Sequence, residues 1–239
     1  METVGTFREV LGESPVWCDR DQALYWADIR RRLIRRHAIE TGETHSWEFP
    51  ELVGCFALRQ NGGFVVALQS RIAFFDPATG EIETVATPEA GKPGHRFNDG
   101  KCDPAGRFLA GSMEDATRAP SGTLWSLAAS GTCRALIEGC SLPNGLAWSP
   151  DGARMYFSDT MSGVVMVYPY DVANGTTGPG EVFATIGDGG PDGATVDAEG
   201  YYWSAIYGGW RVERYAPDGA LDRTIRLPVQ NPTSCCFGG

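Results

Sequence analysis

Two series of turn signals repeat in step along this 239-residue chain, and they constrain its fold more than any other feature. The first runs Asn61-Gly62, Asp103-Pro-Ala-Gly106, Pro150-Asp-Gly152 and Asp197-Ala-Glu-Gly200, with glycines 44, 46 and 48 residues apart. Each turn precedes a short β-rich run, such as Phe64-Val-Val-Ala-Leu68 or Met155-Tyr-Phe157. Leu24-Tyr-Trp26, after Asp19-Arg-Asp-Gln22, fits one repeat earlier. The second series is Thr41-Gly42, Pro77-Ala-Thr-Gly80, Ser130-Gly131, Asn174-Gly175 and Asp218-Gly219, spaced 38, 51, 44 and 44 residues. Asn-Gly, Asp-Gly and Pro-x-x-Gly supply the positive-φ positions that tight hairpins need. Two such turns per unit of about 40–48 residues leave four short strands per unit. Radial repetition of four-stranded sheets is a β-propeller. A β-sandwich has regular turns but does not keep two phased series over five units. Composition agrees: 31 Gly and 15 Pro break long helices, and 7 Trp, 8 Tyr and 11 Phe suit strands.

Five units begin near residues 13, 54, 98, 144 and 192, and a sixth begins at Asn231 and reaches one strand. The expectation is one all-β domain over residues 1–239: a six-bladed β-propeller of four-stranded antiparallel blades with its last blade truncated. At this period the last blade is roughly 35 residues short. A five-bladed ring closed by the tail is the second arrangement. An open ring would expose strand edges and lower solubility. The 51-residue spacing marks an insertion, Met113 to Gly122, between the second and third strands of the third unit, placed to act as a lid or as a surface loop.

The innermost strand of each blade lines the central channel. Eight residues before Gly106, Gly152 and Gly200 stand Asn98, Asn144 and Asp192, and Glu13 is the equivalent in unit one, allowing a shift of one. Unit two has only Gly54 or Cys55 there. Four blades thus place an amide or carboxylate oxygen at one phase, where ring symmetry converges them on one mouth of the channel. Facing carboxylates repel, and one protonates unless a cation sits between them. Oxygen ligands select one hard divalent ion such as Ca²⁺, Mg²⁺ or Mn²⁺, with Zn²⁺ or Fe²⁺ compatible with carboxylates.

Other chemistries find less support. With 20 basic and 30 acidic residues the net charge is −10, which repels polyanions and argues against nucleic acid. Arg30-Arg-Arg-Leu-Ile-Arg-Arg36 has no aromatic stacking platform and reads as a solvated blade face. Apolar runs of five to seven residues are too short for a membrane helix, and Met1-Glu-Thr-Val-Gly5 lacks the charges and apolar run of a secretion signal. Seven cysteines without a C-x-x-C pair read as reduced thiols in a cytoplasmic protein. His37, His45 and His95 show no ligand spacing, and neither a Gly-x-Ser-x-Gly elbow, a P-loop nor the Trp-Asp dipeptide of scaffold propellers occurs.

Five motifs carry a family resemblance: Leu11-Gly-Glu-Ser-Pro-Val-Trp17, Arg96-Phe-Asn-Asp-Gly-Lys101, Leu142-Pro-Asn-Gly-Leu-Ala-Trp148, Pro191-Asp-Gly193 with Asp197-Ala-Glu-Gly200, and Pro232-Thr-Ser-Cys235. With them the chain resembles the regucalcin and gluconolactonase family, six-bladed propellers with one divalent metal at the channel mouth. The resemblance implies metal ligands at Glu13, Asn144 and Asp192. It also implies substrate contacts from Arg96 and Asn98, with Asp192 as the candidate base for the attacking water. The reaction it implies is metal-dependent hydrolysis of a small sugar lactone to the aldonic acid. A non-enzymatic calcium-binding propeller is the alternative, and an arylesterase would instead use channel histidines, of which only His95 is near.

Overall fold

Each glycine turn returns the chain onto the strand before it, giving five antiparallel sheets in the computed structural model, which describes residues 2–239. Blade one is β1 (Gly12–Cys18), β2 (Ala23–Asp28), β3 (Leu33–Ala38) and β4 (Thr44–Glu48). Blade two is β5 (Val53–Leu58), β6 (Phe64–Leu68), β7 (Ile72–Phe75) and β8 (Ile82–Ala86). Blade three is β9 (His95–Cys102), β10 (Phe108–Glu114), β11 (Gly122–Leu127) and β12 (Cys133–Cys140). In blade four, β13 (Pro143–Trp148), β14 (Arg154–Asp159) and β15 (Val164–Asp171) are followed by an outer edge in two pieces. These are β16 (Thr176–Thr177) and β17 (Glu181–Thr185), both paired with β15. Blade five is β18 (Gly190–Val196), β19 (Tyr202–Tyr207), β20 (Arg211–Tyr215) and β21 (Leu221–Arg226).

The propeller therefore has five blades, not the six expected from the turn count. The segment from Asn231, read from the sequence as the first strand of a sixth blade, forms no strand. Its turn chemistry matches the other inner strands, but a strand needs a hairpin partner to build a ladder. The segment instead makes isolated bonds to both neighbouring blades. Gly193 N donates to Thr233 O at 2.7 Å on the blade-five side. Thr233 Oγ1 donates to Gly12 O on the blade-one side.

Apolar side chains fill the wedges between successive blades, where the faces of two sheets pack together. Tyr25, Ile34, Phe56, Phe64 and Leu68 join blades one and two. Val65, Ile72, Phe97 and Phe108 join two and three. Leu109, Leu124, Leu146 and Phe157 join three and four. Tyr156, Phe183, Tyr202 and Ile206 join four and five. Among the described residues no such cluster joins blade five to blade one, and β21 is exposed along its whole length. No helix among them is long and apolar enough to cross a membrane.

Blade two lacks the polar residue of its neighbours for a steric reason. A Cβ on Gly54 would stand 2.4 Å from both the carbonyl carbon and oxygen of Phe97, the residue before Asn98. The chain there is in close contact with backbone that cannot yield like a flexible side-chain tip. Gly54→Ala should therefore destabilise the protein by about 1–3 kcal/mol, read as a lower urea midpoint with an unchanged slope; a midpoint equal to that of the parent would remove the close-approach account.

Candidate metal and substrate site

All five inner strands carry a register irregularity at the same phase. It falls at Glu13/Val16 in β1, Val53/Cys55 in β5, opposite Ala110/Ser112 in β9, at Asn144/Ala147 in β13 and at Pro191/Ala194 in β18. A bulge leaves extra residues unpaired, bends the strand and re-aims their side chains. Ser14 in β1 and Gly145 in β13 take the left-handed backbone this needs, at φ 52 and 65. The bulges therefore explain why polar residues stand in strands that are otherwise apolar.

Glu13, Arg96, Asn98, Asn144 and Asp192 line one cavity of about 470 Å³, and Arg30, Arg118 and Thr160 share its wall. All five sequence-identified residues are buried, with Glu13 and Asp192 only 6% and 5% exposed. Neither carboxylate has a basic partner among the ion pairs of the described residues. Asp192 Oδ1 accepts the N–H of Gly193 at 3.0 Å. Burial, then the charges of Asp192 and Asp99, pushes the Glu13 carboxyl well above its ordinary range. Burial, then Asp99, does the same to Asp192. Asp99 was not singled out in the sequence. It lies buried behind the cavity, accepting the N–H groups of Gly100 at 2.8 Å and Leu146 at 3.3 Å.

The amides are oriented by a chain of hydrogen bonds. Thr160 Oγ1 donates to the carbonyl of Pro191 at 2.7 Å, so toward Asn144 it can only accept. It accepts from Asn144 Nδ2 at 2.8 Å, which turns Asn144 Oδ1 toward Asn98 Nδ2, 3.1 Å away. Asn98 Nδ2 also donates to the carbonyl of Pro143 at 3.0 Å, and Asn98 Oδ1 accepts from Arg96 Nη1 at 2.8 Å. Both amide hydrogens of Asn98 are thereby used on the protein. Arg96 spends Nε on Asp115 at 2.6 Å and Nη1 on Phe97 O and Asn98, leaving Nη2 free of protein acceptors among the described residues.

The insertion of blade three folds over this mouth. Asp115 takes both guanidinium nitrogens of Arg30, at 2.7 and 3.0 Å, and accepts from Arg96 and from Arg118 at 3.1 Å. Burial would raise the Asp115 carboxyl, but hydrogen bonds from Arg30 and Arg96 overcome it and hold it well below the usual carboxylate range. Arg30, read from the sequence as part of a solvated face, is thus a wall of the cavity. His95 is not in the cavity wall. Its Nδ1 lies 3.0 Å from Glu89 and its Nε2 3.2 Å from Ser121 Oγ, so the histidine-based esterase reading loses its one candidate.

Two buried carboxylates and an oriented amide oxygen facing one cavity define a propeller built to hold a small polar ligand, with a donor set that fits a hard cation. No cluster of three or more His, Cys, Asp or Glu side chains able to hold a metal occurs among the described residues. The set here is two acids and an amide. The comparisons with known proteins agree on the type. Residues 11–239 match the family described as SMP-30/Gluconolactonase/LRE-like region, and the chain belongs to that family. It is 42% identical to the 6-deoxy-6-sulfogluconolactonase of Pseudomonas putida over 96% of this chain and 80% of that one. It is 35% identical to the L-arabinolactonase of Azospirillum brasilense, over 97% and 79%. Among solved structures, the calcium-binding protein regucalcin from Agrobacterium tumefaciens superposes with a TM-score of 0.91 at 30% identity, covering 95% of this chain and 77% of that one.

The Asp115 contacts predict an acid-sensitive loop. A carboxylate held below its unfolded value of about 3.9 contributes stability above that pH and loses it as pH falls through its folded value. Asp115→Asn should cost about 2 kcal/mol at pH 7, and the gap between variant and parent should shrink below pH ~4 in urea titrations. A gap unchanged down to pH ~3 would show that the ion pairs do not dock the loop.

Proposed function

We propose that the chain hydrolyses a sugar lactone to the open aldonic acid at this cavity, with one divalent cation held by Glu13, Asn144 and Asp192. The observation that carries the reading is the pair of buried, unpaired acids beside an oriented amide oxygen and a free Arg96 Nη2. Buried carboxylates of raised proton affinity, with no basic partner, fit a site whose counter-charge is a cation. A volume of about 470 Å³ accommodates a single sugar ring. The lactonase names of two relatives support the reaction class. The calcium-binding regucalcin supports a hard ion, with calcium the first to test.

When bound, such a cation supplies Lewis-acid polarisation of the carbonyl under attack, worth several kcal/mol of charge stabilisation. The chain's own residues supply position and proton handling. Arg96 Nη2 donates to the oxygens of the substrate, and the network through Asn98 and Thr160 keeps Arg96 and Asn144 from turning, which lowers the entropic barrier. Water attacks the carbonyl carbon, the new C–O bond forms, and the ring C–O bond breaks. Asp192 takes the proton of that water and passes it to the ring oxygen, which leaves as a hydroxyl. The exposed side chains of Met161 and Tyr207 at the rim offer apolar surface to the sugar face.

Purified protein assayed on gluconolactone, xylonolactone, arabinonolactone and a phenyl ester should open sugar lactones alone and stop with chelator. Cation binding without turnover of any lactone would favour the non-enzymatic regucalcin-like reading. In the same assay Asp192→Asn should lower kcat at least ~100-fold and weaken cation binding by calorimetry. Full turnover with the cation still bound would exclude Asp192 as the base.

A further inference from the structure

The mouth of the cavity holds more positive charge than its architecture requires. Three guanidinium groups, those of Arg30, Arg96 and Arg118, share the single carboxylate of Asp115. Arg30 already takes both oxygens of that carboxylate in a two-pronged contact, so one negative charge is shared by three positive ones. The neighbouring Glu114 does not neutralise them, because its carboxylate accepts the N–H groups of Ala116 and Thr117 and the Thr117 hydroxyl within its own turn. Arg96 and Arg118 remain over at that carboxylate, while the two acids of the same cavity, Glu13 and Asp192, are the charges the proposed cation answers, in a chain whose net charge is −10. The three cations also repel one another: burial first, and then the proximity of Arg30 and Arg118, works against the charge on Arg96. Arg118 Nη1 contacts Asp115 and, at 3.5 Å, Met113 Sδ, leaving Nε and Nη2 without a protein acceptor among the described residues.

Arg30 and Arg118 line the same cavity as Glu13 and Asp192, and both are accessible, with side chains 37% and 29% exposed. Arg96 is buried at 2% exposure. The cavity is thus graded, with acids and amides buried and, among the described residues, the unused Nε and Nη2 of Arg118 and Nε of Arg30 at its opening.

Building on the lactonase reading above, we propose that the preferred substrate is an anionic sugar lactone, whose phosphate, sulfonate or carboxylate substituent, remote from the lactone carbonyl, is held by Arg118 and Arg30. The guanidinium fork matches each of these oxyanions, and the buried end of the cavity is left to the ring. The surplus charge also draws such a substrate into the mouth against the repulsion of the rest of the surface.

The test compares kcat/KM for glucono-δ-lactone with that for its 6-phospho and 6-sulfo counterparts and for a lactone bearing a C6 carboxylate. The parent protein should prefer at least one anionic lactone by tenfold or more, and the arm with the largest ratio identifies the oxyanion. Arg118→Gln should lower that ratio about tenfold, Arg118→Lys should restore part of it, and Arg30→Gln should act in the same direction. Raising ionic strength should increase KM for the anionic lactone only. Inhibition by 6-phosphogluconate relative to gluconate supplies a second readout, expected to lose its preference for the phosphorylated acid in Arg118→Gln. Equal use of neutral and anionic lactones, or a ratio that Arg118→Gln leaves unchanged, would overturn the proposal while leaving the lactonase reading intact. Hydrolysis of no lactone, neutral or charged, would overturn both.

Discussion

A buried carboxylate without a positive partner is strongly disfavoured, and this chain holds two of them at one cavity. Much of the surrounding structure can be understood as what keeps Glu13 and Asp192 there. The bulges that aim them inward interrupt ladders that would otherwise close. The carboxylate of Asp28 accepts the N–H groups of Val10 and Leu11 just before β1, and that of Asp159 does the same for Ser141 and Leu142 before β13. These side chains fix where two inner strands start, and hence where Glu13 and Asn144 point. The hydroxyl of Thr160 then decides which way the Asn144 amide faces.

What could be read from the sequence follows from how each residue is placed. The blades were legible because the turns of both phased series mostly carry a glycine, and Asn98, Asn144 and Asp192 because their bulges stand a constant distance before those turns. Glu13 needed a shift of one because the turn after β1, Asp19 to Gln22, is irregular. Turn counting went wrong at the sixth blade, since it registers chain reversals and is blind to whether a strand finds a partner. Arg30, Asp115, Arg118 and Thr160 escaped detection for a different reason. They sit in connections between strands, where no period operates, and only folding brings Arg30 and Asp115, 85 residues apart, into contact. Asp99 was hidden by adjacency to Asn98, the residue that matched the phase.

Division of labour between strands and connections follows. Inner strands, wedged between blades by aromatic and aliphatic side chains, carry the carboxylates and amides whose positions must not drift. The insertion of blade three carries Asp115 and Arg118 on a turn held to the rest of the protein by charge contacts. Contacts of this kind are weakened by salt and by acid, whereas the wedges are not. The two parts of the site therefore answer to different solution conditions.

Glu13 belongs to blade one and Asp192 to blade five, so the two acids stand on either side of the one junction that no apolar cluster joins among the described residues. The irregular stretch around Thr233 bonds to both sides of that junction, next to Asp192 at Gly193 and next to Glu13 at Gly12. A warming step or cosolvent that slackens that stretch would free the two acids to part while every sheet is still intact. Ligand grip should then fade ahead of melting, and the protein can be fully folded by spectroscopy yet already unable to hold what it binds.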